Sequence, residues 1–280
     1  MSSQRATLRT SNIIILTALI LLSLLWLLPI ISVLLTAVRS QGDLFKSGIF
    51  GWPKAFRWDN FVKAWDAGDF SIYFKNSLFV ILMKVPLGIL VSSLAAYPLA
   101  KMSFRMNQPI FLFLLIGLAV PIQVALQPLV VMMRELGLSN TLFALLPPYI
   151  AFGIPLQVLV MRGFFRQIPS ELVEAARVDG ASELTIFFKI MVPLSVPALA
   201  ALAIIDTLAT WNEFLLALVL ISEKESRTVP IGLMQFQGEH SSDYTVLMAG
   251  VAISIIPVLI IFLFLQRYFV TGLTAGAVKG

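Results

Sequence analysis

Residues 171–193 read ELVEAARVDGASELTIFFKIMVP and lie between two long apolar runs. The apolar residues in the first half of this segment fall on one helical face and the charged residues fall on the other. The apolar face contains Leu172, Val173 and Ala176, and the charged face contains Glu171, Glu174 and Arg177. Glu174 and Arg177 are three residues apart and are predicted to form an ion pair. Ser170 is predicted to cap the N terminus of this helix.

A turn at Asp179-Gly180 is predicted to end the first helix, because glycine accepts the left-handed conformation that follows many helices. Ser182 is predicted to cap a second short helix, with Glu183 near its N terminus and Lys189 near its C terminus, as the helix dipole favours. Its expected apolar face consists of Leu184, Phe187, Phe188 and Met191. These properties indicate either an amphipathic hairpin on a membrane surface or a docking site for another protein.

The composition of the whole chain is that of a membrane protein. Of 280 residues, 59% are hydrophobic and 12% are charged, whereas a soluble domain usually has about 25% charged residues. The net charge is +5 and the mean hydropathy is +0.92. We interpret the basic residues as anchors at a membrane surface and not as a nucleic-acid site. The chain contains no cysteine, which excludes disulfides and thiolate chemistry.

Six apolar segments are long enough to cross a bilayer as helices, which takes roughly 20 residues. They are residues 12–38, 77–99, 109–133, 142–161, 194–221 and 245–270. The first is too long for the apolar part of a secretory signal and is predicted to be retained. We therefore expect an all-α integral membrane protein with a single transmembrane domain over residues 1–280. Lys and Arg are distributed almost evenly over the two sets of loops and slightly favour an N terminus inside the cell.

Lys84 in the second predicted span and Asp206 and Glu213 in the fifth are charged residues at a depth where charges are costly and usually functional. Asp206 and Glu213 are seven residues apart, so a continuous helix places them on one face, roughly 10 Å apart along its axis. With Trp211, Asn212 and Gln123 they provide carboxylate, amide and aromatic groups that suit a polar translocation path or a gate. The alternative is packing, in which polar side chains bond across helices or Lys84 extends toward the outer surface.

The segment that opens this section resembles the EAA loop of ABC-importer permeases, whose pattern is E-A-A, three residues, G, nine residues and I-x-L-P. The residues that match in register are Glu174, Ala175, Ala176, Gly180, Ile190 and Pro193, while Val192 replaces the usual leucine. In that family the loop is cytoplasmic, enters a cleft on the ATPase subunit and transmits its movement to the spans. The resemblance implies that residues 162–193, here called the coupling loop, contact an ATPase through these residues and Asp179. It also implies that both termini are cytoplasmic.

Two further stretches, WNEFLLAL at 211–218 and QRYFVTGLTAGAVKG at 266–280, resemble carbohydrate-importer permeases of the maltose type. The chain is most similar to the shorter, six-span partner of such a heterodimer. This resemblance implies a second permease, an ATPase dimer and an extracytoplasmic sugar-binding protein as partners, in the cytoplasmic membrane of a bacterium or archaeon. The cytoplasmic tail, residues 271–280, would contact the ATPase through Gly272, Gly276 and Lys279. Phe236, Gln237 and Gly238 would contact the sugar-binding protein.

The sequence contains no Walker-type G-x-x-x-x-G-K-[ST] stretch, so ATP and Mg²⁺ are expected on partner subunits and no cofactor on this chain. An ion-coupled secondary transporter that uses Asp206, Glu213 and Lys84 as a relay remains an alternative. A membrane enzyme has less support, because the sequence has no G-x-S-x-G motif and its single histidine, His240, is predicted in an outer loop.

Overall fold

The computed structural model describes the backbone of residues 2–236 and 243–277, and side chains within 12–236 and 243–264. Within these ranges the chain forms helices and no strand, as predicted. It divides into two compact units. Unit 1 comprises Met1–Gly68 and Gln235–Ile255, and unit 2 comprises Asp69–Met234 and Ile256–Gly280.

Unit 1 contains the first three helices, which are α1 (Ser2–Ala37), α2 (Gln41–Ser47) and α3 (Asp59–Ala67). The loop after α1 is organised by Arg39, which is fully buried. Its guanidinium donates to the carbonyl oxygens of Gly48 at 2.7 Å and Asp43 at 3.0 Å. The Asp43 carboxylate accepts from the Lys54 backbone N–H at 3.2 Å, and this bond and Arg39 hold the pKa of Asp43 below its ordinary value. Because a buried charge is costly without partners, this pairing permits a polar centre in a short loop.

The other helices are α4 (Phe70–Lys101), α5 (Asn107–Ile116), α6 (Ile122–Glu135), α7 (Leu146–Gln167), α8 (Ser170–Val178), α9 (Glu183–Ile186), α10 (Val192–Leu194), α11 (Val196–Trp211), α12 (Leu215–Leu220), α13 (Val229–Gly232) and α14 (Tyr244–Ala277). Short 3₁₀ turns occur at Gly117–Ala119, Leu142–Leu145, Lys224–Ser226 and Leu233–Phe236, and a π-helical turn occurs at Phe187–Met191. In unit 2, α4 packs mainly along α7 and also against α11.

Four helices in the described part of the chain are long and apolar enough to cross a membrane: Asn12–Ala37, Phe70–Lys101, Leu142–Gln167 and Tyr244–Phe264. They correspond to the first, second, fourth and sixth predicted spans. The third predicted span is divided into Asn107–Ala119 and Ile122–Glu135, with a bend of 97°. Pro121 lies at the break, where it has no N–H with which to continue the first helix.

The fifth predicted span, residues 194–221, is not one continuous helix. Its first part, Val196–Trp211, is bent by 77° against the preceding helical segment Glu183–Leu194, and the described residues contain up to six spans if each bent pair counts as one. Helix α11 ends at Trp211 and α12 begins at Leu215. The Glu213 carboxylate accepts from the backbone N–H groups of Leu216 at 2.8 Å and Ala217 at 3.1 Å. These N–H groups belong to the first turn of α12 and have no partner within that helix, so their bonds to Glu213 stabilise the break.

A close approach between α4 and α13 gives a first testable expectation. A Cβ added at Gly232 would lie 2.2 Å from Tyr73 Cδ2, and the Tyr73 ring is fully buried. We expect Gly232→Ala to destabilise the protein by about 1–3 kcal/mol, because the ring can move only at the cost of overpacking. Thermal unfolding of the purified variant measures this effect. Gly42→Ala is the control, since an added Cβ there has no atom within 4 Å; equal unfolding midpoints would contradict the expectation.

Candidate functional site

The coupling loop folds as two helical pieces joined by a turn at Gly180. Gly180 has φ = 79°, which confirms the predicted left-handed turn. The Ser182 hydroxyl accepts from the Thr185 N–H at 3.3 Å and caps α9, as predicted. The predicted N-cap at Ser170 is wrong, because Pro169 occupies that position and Ser170 begins the helix.

The loop exposes most of the residues that match the EAA pattern. Glu174, Ala175, Asp179, Gly180 and Pro193 are exposed, whereas Ala176 and Ile190 are partly buried. Four apolar side chains of the loop are also exposed: Leu172 at 46%, Val178 at 87%, Leu184 at 63% and Phe188 at 51%. Apolar exposure of this kind on a short polar segment is typical of a surface that binds another protein.

The expected common face of Leu184, Phe187, Phe188 and Met191 is wrong. Phe187 and Met191 are buried, while Leu184 and Phe188 are exposed. The chain forms a π-helical turn over Phe187–Met191. This turn has more residues per revolution than an α-helix, so the spacing that predicted the face does not apply there.

The expected pair of Glu174 and Arg177 is also replaced by another. Arg177 Nε donates to Glu183 Oε1 at 2.7 Å, so the bond joins α8 to α9 across the Gly180 turn. The second oxygen of Glu183 accepts from the Tyr97 hydroxyl of α4 at 2.6 Å. A residue six positions further along the chain thus takes the place of a neighbour on the same helix.

The buried side of the loop packs against other helices of unit 2. Val173, Ile186, Phe187 and Met191 belong to an apolar cluster that includes Tyr97 and Phe165. The Phe187 ring centre lies 5.8 Å from that of Tyr97 and 6.4 Å from that of Phe165. The loop is therefore packed against the ends of α4 and α7 and does not project freely.

A cavity of about 220 Å³, lined mainly by apolar side chains with a few polar and charged ones among them, lies among the helices of unit 2. Its lining residues are Lys84, Ile122, Tyr149, Phe152, Gly153, Leu156, Gln157, Leu202, Ile205, Asp206, Ala209, Thr210, Glu213 and Leu216. Lys84 of α4 forms an ion pair with Asp206 of α11, and these residues are only 3% and 7% exposed. The alternative in which Lys84 reaches toward the outer surface is therefore wrong, because its ammonium group has a buried partner.

Glu213 lines the same cavity, but it does so from a position outside α11 and not from the helical face that it was expected to share with Asp206. It follows the end of α11, so it does not share a continuous helical face with Asp206. It accepts from the Tyr149 hydroxyl of α7 and from two N–H groups of α12. Sequence reasoning missed Tyr149 and Thr210, since an isolated tyrosine or threonine in an apolar helix gives no distinctive pattern.

Two buried polar atoms lie among these groups without a hydrogen-bond partner of standard geometry: Gln157 Nε2 and Asp206 Oδ2. The other amide atom of Gln157 accepts from the Ser92 hydroxyl at 2.7 Å. The Gln157 amide is nevertheless close enough to the Asp206 carboxylate to interact with it, so the two groups form one polar cluster with Lys84.

The remaining predicted path residues do not line the cavity. Trp211 is buried and packs edge-on against Phe74 at 5.5 Å. The Asn212 amide donates to the Leu208 carbonyl of α11 at 2.9 Å, and Gln123 is exposed. The structure thus brings together two of the five predicted path residues, Asp206 and Glu213, with Lys84 between the helices.

The predicted contacts of the tail and the receptor are only partly described. Gly272 and Gly276 lie within α14, which continues to Ala277, whereas Lys279 lies outside the described residues. Phe236 is buried with 9% exposure, and Gln237 and Gly238 lie outside the described residues.

A family model described as the binding-protein-dependent transport system inner membrane component matches residues 84–274. The chain belongs to this family. The match includes the coupling loop and all the charged residues that line the cavity. The protein is therefore a membrane-embedded transport subunit, and the EAA resemblance of the loop agrees with this membership.

Named transport proteins are similar to this permease over almost its whole length. The arabinooligosaccharides transport system permease protein AraQ of Bacillus subtilis (strain 168) is 38% identical over 93% of this chain and 93% of its own. The melibiose/raffinose/stachyose import permease protein MelC of the same organism is 34% identical over 90% and 91%. The diacetylchitobiose uptake system permease protein NgcG of Streptomyces coelicolor is 31% identical over 93% and 87%.

Solved structures match the permease fold as well. A bacterial ABC transporter involved in the import of the acidic polysaccharide alginate superimposes with a TM-score of 0.80 at 26% identity, over 93% of this chain and 97% of that chain. The alginate transporter in complex with its pentasaccharide-bound periplasmic protein has a TM-score of 0.64 at 20% identity, over 90% of this chain and 93% of that chain, and supports the fold alone.

Proposed function

We propose that this permease is one of two transmembrane subunits of an ATP-driven sugar importer that receives its substrate from an extracytoplasmic binding protein. The observation that carries the proposal is the coupling loop, which displays the EAA residues around the left-handed turn at Gly180 in a chain of this family. A homologous permease, an ATPase dimer and the sugar-binding protein complete the complex. ATP and Mg²⁺ bind the ATPase subunits.

The class of substrate is supported by the relatives. Their names refer to arabinooligosaccharides, to melibiose, raffinose and stachyose, and to diacetylchitobiose. All of these are short saccharides, so an oligosaccharide is the substrate class that fits best. The cavity around Asp206 and Glu213 contains carboxylate, amide and hydroxyl groups that can exchange hydrogen bonds with a sugar.

The mechanism follows from the packing of the coupling loop against α4 and α7. ATP binding closes the two ATPase subunits and moves the coupling loops that they hold. Because Phe187 and Met191 are buried against α4 and α7, the loop cannot move without displacing the ends of those helices. The cavity is open to one side of the membrane or to the other. ATP binding can shift this equilibrium only if the ATP-bound ATPase binds the two conformations of the permease with different affinities.

The ion-coupled alternative has less support. Its relay would need Asp206 and Lys84 to exchange ions or protons, but the two side chains neutralise each other in a buried pair. Family membership supplies an energy source from a partner subunit, so an ion relay is not required. Uptake by the purified chain alone, driven by a sodium or proton gradient, would reinstate that alternative.

Membrane orientation can be tested with single cysteines, since the native chain has none. Val178→Cys places a thiol on the coupling loop, and Glu223→Cys places one on the exposed segment after α12. We propose that an impermeant maleimide labels Glu223→Cys in intact cells and labels Val178→Cys only after permeabilisation. The reverse pattern would contradict a cytoplasmic coupling loop.

Function is tested by purifying the tagged chain from native membranes and identifying the proteins that co-purify. We expect an ATPase, a second permease and a sugar-binding protein. The reconstituted complex is then assayed for uptake of raffinose, arabinooligosaccharides and diacetylchitobiose with and without ATP. A chain that co-purifies with no ATPase would contradict the proposal.

A further inference from the structure

One carboxylate joins three helices at the base of the coupling loop. Glu183, the first residue of α9, accepts from the Tyr97 hydroxyl of α4 at 2.6 Å. It also accepts from Arg177 of α8, whose Nε and Nη2 lie 2.7 Å and 3.3 Å from its two oxygens. We call these three residues the Glu183 junction.

The junction lies where α4 ends and the loop begins. Tyr97 is one turn before Lys101, the last residue of α4, and is only 4% exposed. Its ring contacts Phe165 and Phe187, so its position is restricted by neighbours on α7 and on the loop. Closer to the N terminus of the same helix, Lys84 lines the cavity. A single helix thus connects the Glu183 junction to the cavity.

Stability alone is a weak explanation for the junction. The side chains of Arg177 and Glu183 are 38% and 43% exposed, and exposed ion pairs contribute little to folding. Burial of Phe187 and Met191 already holds the loop against the rest of unit 2. The bidentate approach of Arg177 instead provides orientation, because a guanidinium and a carboxylate that share two contacts have a restricted relative angle.

The loop next to the junction departs from α-helical geometry. The π-helical turn at Phe187–Met191 begins four residues after Glu183. Such turns are often found at functional sites, and they offer a less regular backbone that can adjust. The π-helical turn follows α9 and can adjust, whereas the Glu183 junction holds α8 and α9 at a fixed angle. This combination would make α8 and α9 move as one body.

We propose that Glu183 is a positioning residue that fixes the angle between α8 and α9 and fastens both to the end of α4. Through this connection, movement of the loop by the ATPase reaches the helix that carries Lys84. The inference rests on the proposed function, since it needs an ATPase that moves the loop. It assigns to Tyr97 and Arg177 the role of holding the Glu183 carboxylate.

The test uses the complete complex in lipid nanodiscs and follows the cavity directly. Leu156 lines the cavity and is 40% exposed, so Leu156→Cys places a single thiol of this chain there. The readout is the rate at which N-ethylmaleimide modifies this thiol with and without ATP, together with ATP hydrolysis. With native residues at the junction, we expect ATP to change the labelling rate.

Two variants interrupt the Glu183 junction: Glu183→Ala removes the carboxylate, and Tyr97→Phe removes only the hydroxyl group. In Tyr97→Phe we expect the response of the labelling rate to ATP to fall by about tenfold, which is the change that loss of one charge-assisted hydrogen bond can produce. In Glu183→Ala, which also removes the contacts with Arg177, the response should fall by at least as much. The complex should still assemble and hydrolyse ATP within about twofold of the native rate, because that loss is small beside the apolar contacts that hold the loop. The response to ATP should fall less in Glu183→Gln than in Glu183→Ala, since the glutamine amide oxygen can still accept a hydrogen bond from the Tyr97 hydroxyl.

Lys189→Gln is the matched control, because Lys189 is exposed on the same loop and is absent from the salt bridges of the described residues. A native response to ATP in both Glu183→Ala and Tyr97→Phe would overturn the inference. So would a loss of response that occurs only together with loss of assembly, which indicates a structural role. If the native complex itself shows no ATPase and no response, the proposed function fails instead.

Discussion

Gly180→Val is expected to separate the permease from its ATPase and to abolish ATP-driven uptake. Gly180 has φ = 79°, a region in which an L-residue is less stable by about 1–2 kcal/mol and a β-branched residue is disfavoured further. An added Cβ would have no atom within 4 Å, so the effect arises from the backbone and not from crowding within the chain. The strained turn would change the direction of α9 relative to α8. We expect recovery of co-purified ATPase to fall by more than about tenfold.

Gly163→Val is the control for this prediction. Gly163 also has no atom within 4 Å of an added Cβ, but it lies inside α7 without a positive φ. Valine is tolerated at least as well as glycine in a helix interior. If both variants retain the ATPase and transport normally, the turn at Gly180 has no part in coupling.

The second large effect is expected from the buried pair of Lys84 and Asp206. Lys84→Met leaves the Asp206 carboxylate without its cation, and Asp206→Leu leaves the Lys84 ammonium without its anion. Removing one member of a buried pair costs about 3–5 kcal/mol, because the remaining charge has lost its compensation. The double variant Lys84→Met with Asp206→Leu should recover most of that loss, since it buries no charge. Thermal unfolding in nanodiscs measures all three variants.

The exposed pair of Asp59 and Lys63 provides the comparison. Both side chains are about half exposed, so Lys63→Met should change the free energy of unfolding by less than about 1 kcal/mol. A double variant that is less stable than either single one would show that the pair is not a simple ionic contact. A double variant that is stable but does not transport would place the pair on the substrate path and not in packing alone.

Local patterns predicted the coupling loop well where one residue sets the backbone. The turn at Gly180 and the cap at Ser182 depend on the conformational freedom of glycine and on a hydroxyl three residues before an N–H. Side-chain partners were predicted less well. Glu174 and Glu183 are both acidic and close in sequence to Arg177, and only packing of the loop against Tyr97 and Phe187 brings Glu183 into contact.

Hydropathy located the spans because lipid requires a helix of about 20 apolar residues, whichever residues those are. The same averaging of hydropathy hid the break after Trp211, since residues 212–214 lie within a long, mainly apolar stretch of the sequence. The break is stabilised by Glu213, which accepts from α12 and from Tyr149, 64 positions away in sequence.

The sequence alone determined the all-helical membrane class, the position of the coupling loop and the turn within it, because each depends on composition or on neighbours a few residues apart. Only the tertiary structure decided that Lys84 pairs with Asp206, that Glu213 reaches the same cavity from outside α11, and that Glu183 joins Arg177 to Tyr97. The members of the first pair are 122 residues apart. Contacts of that separation depend on how whole helices pack, and no periodicity along the chain records them.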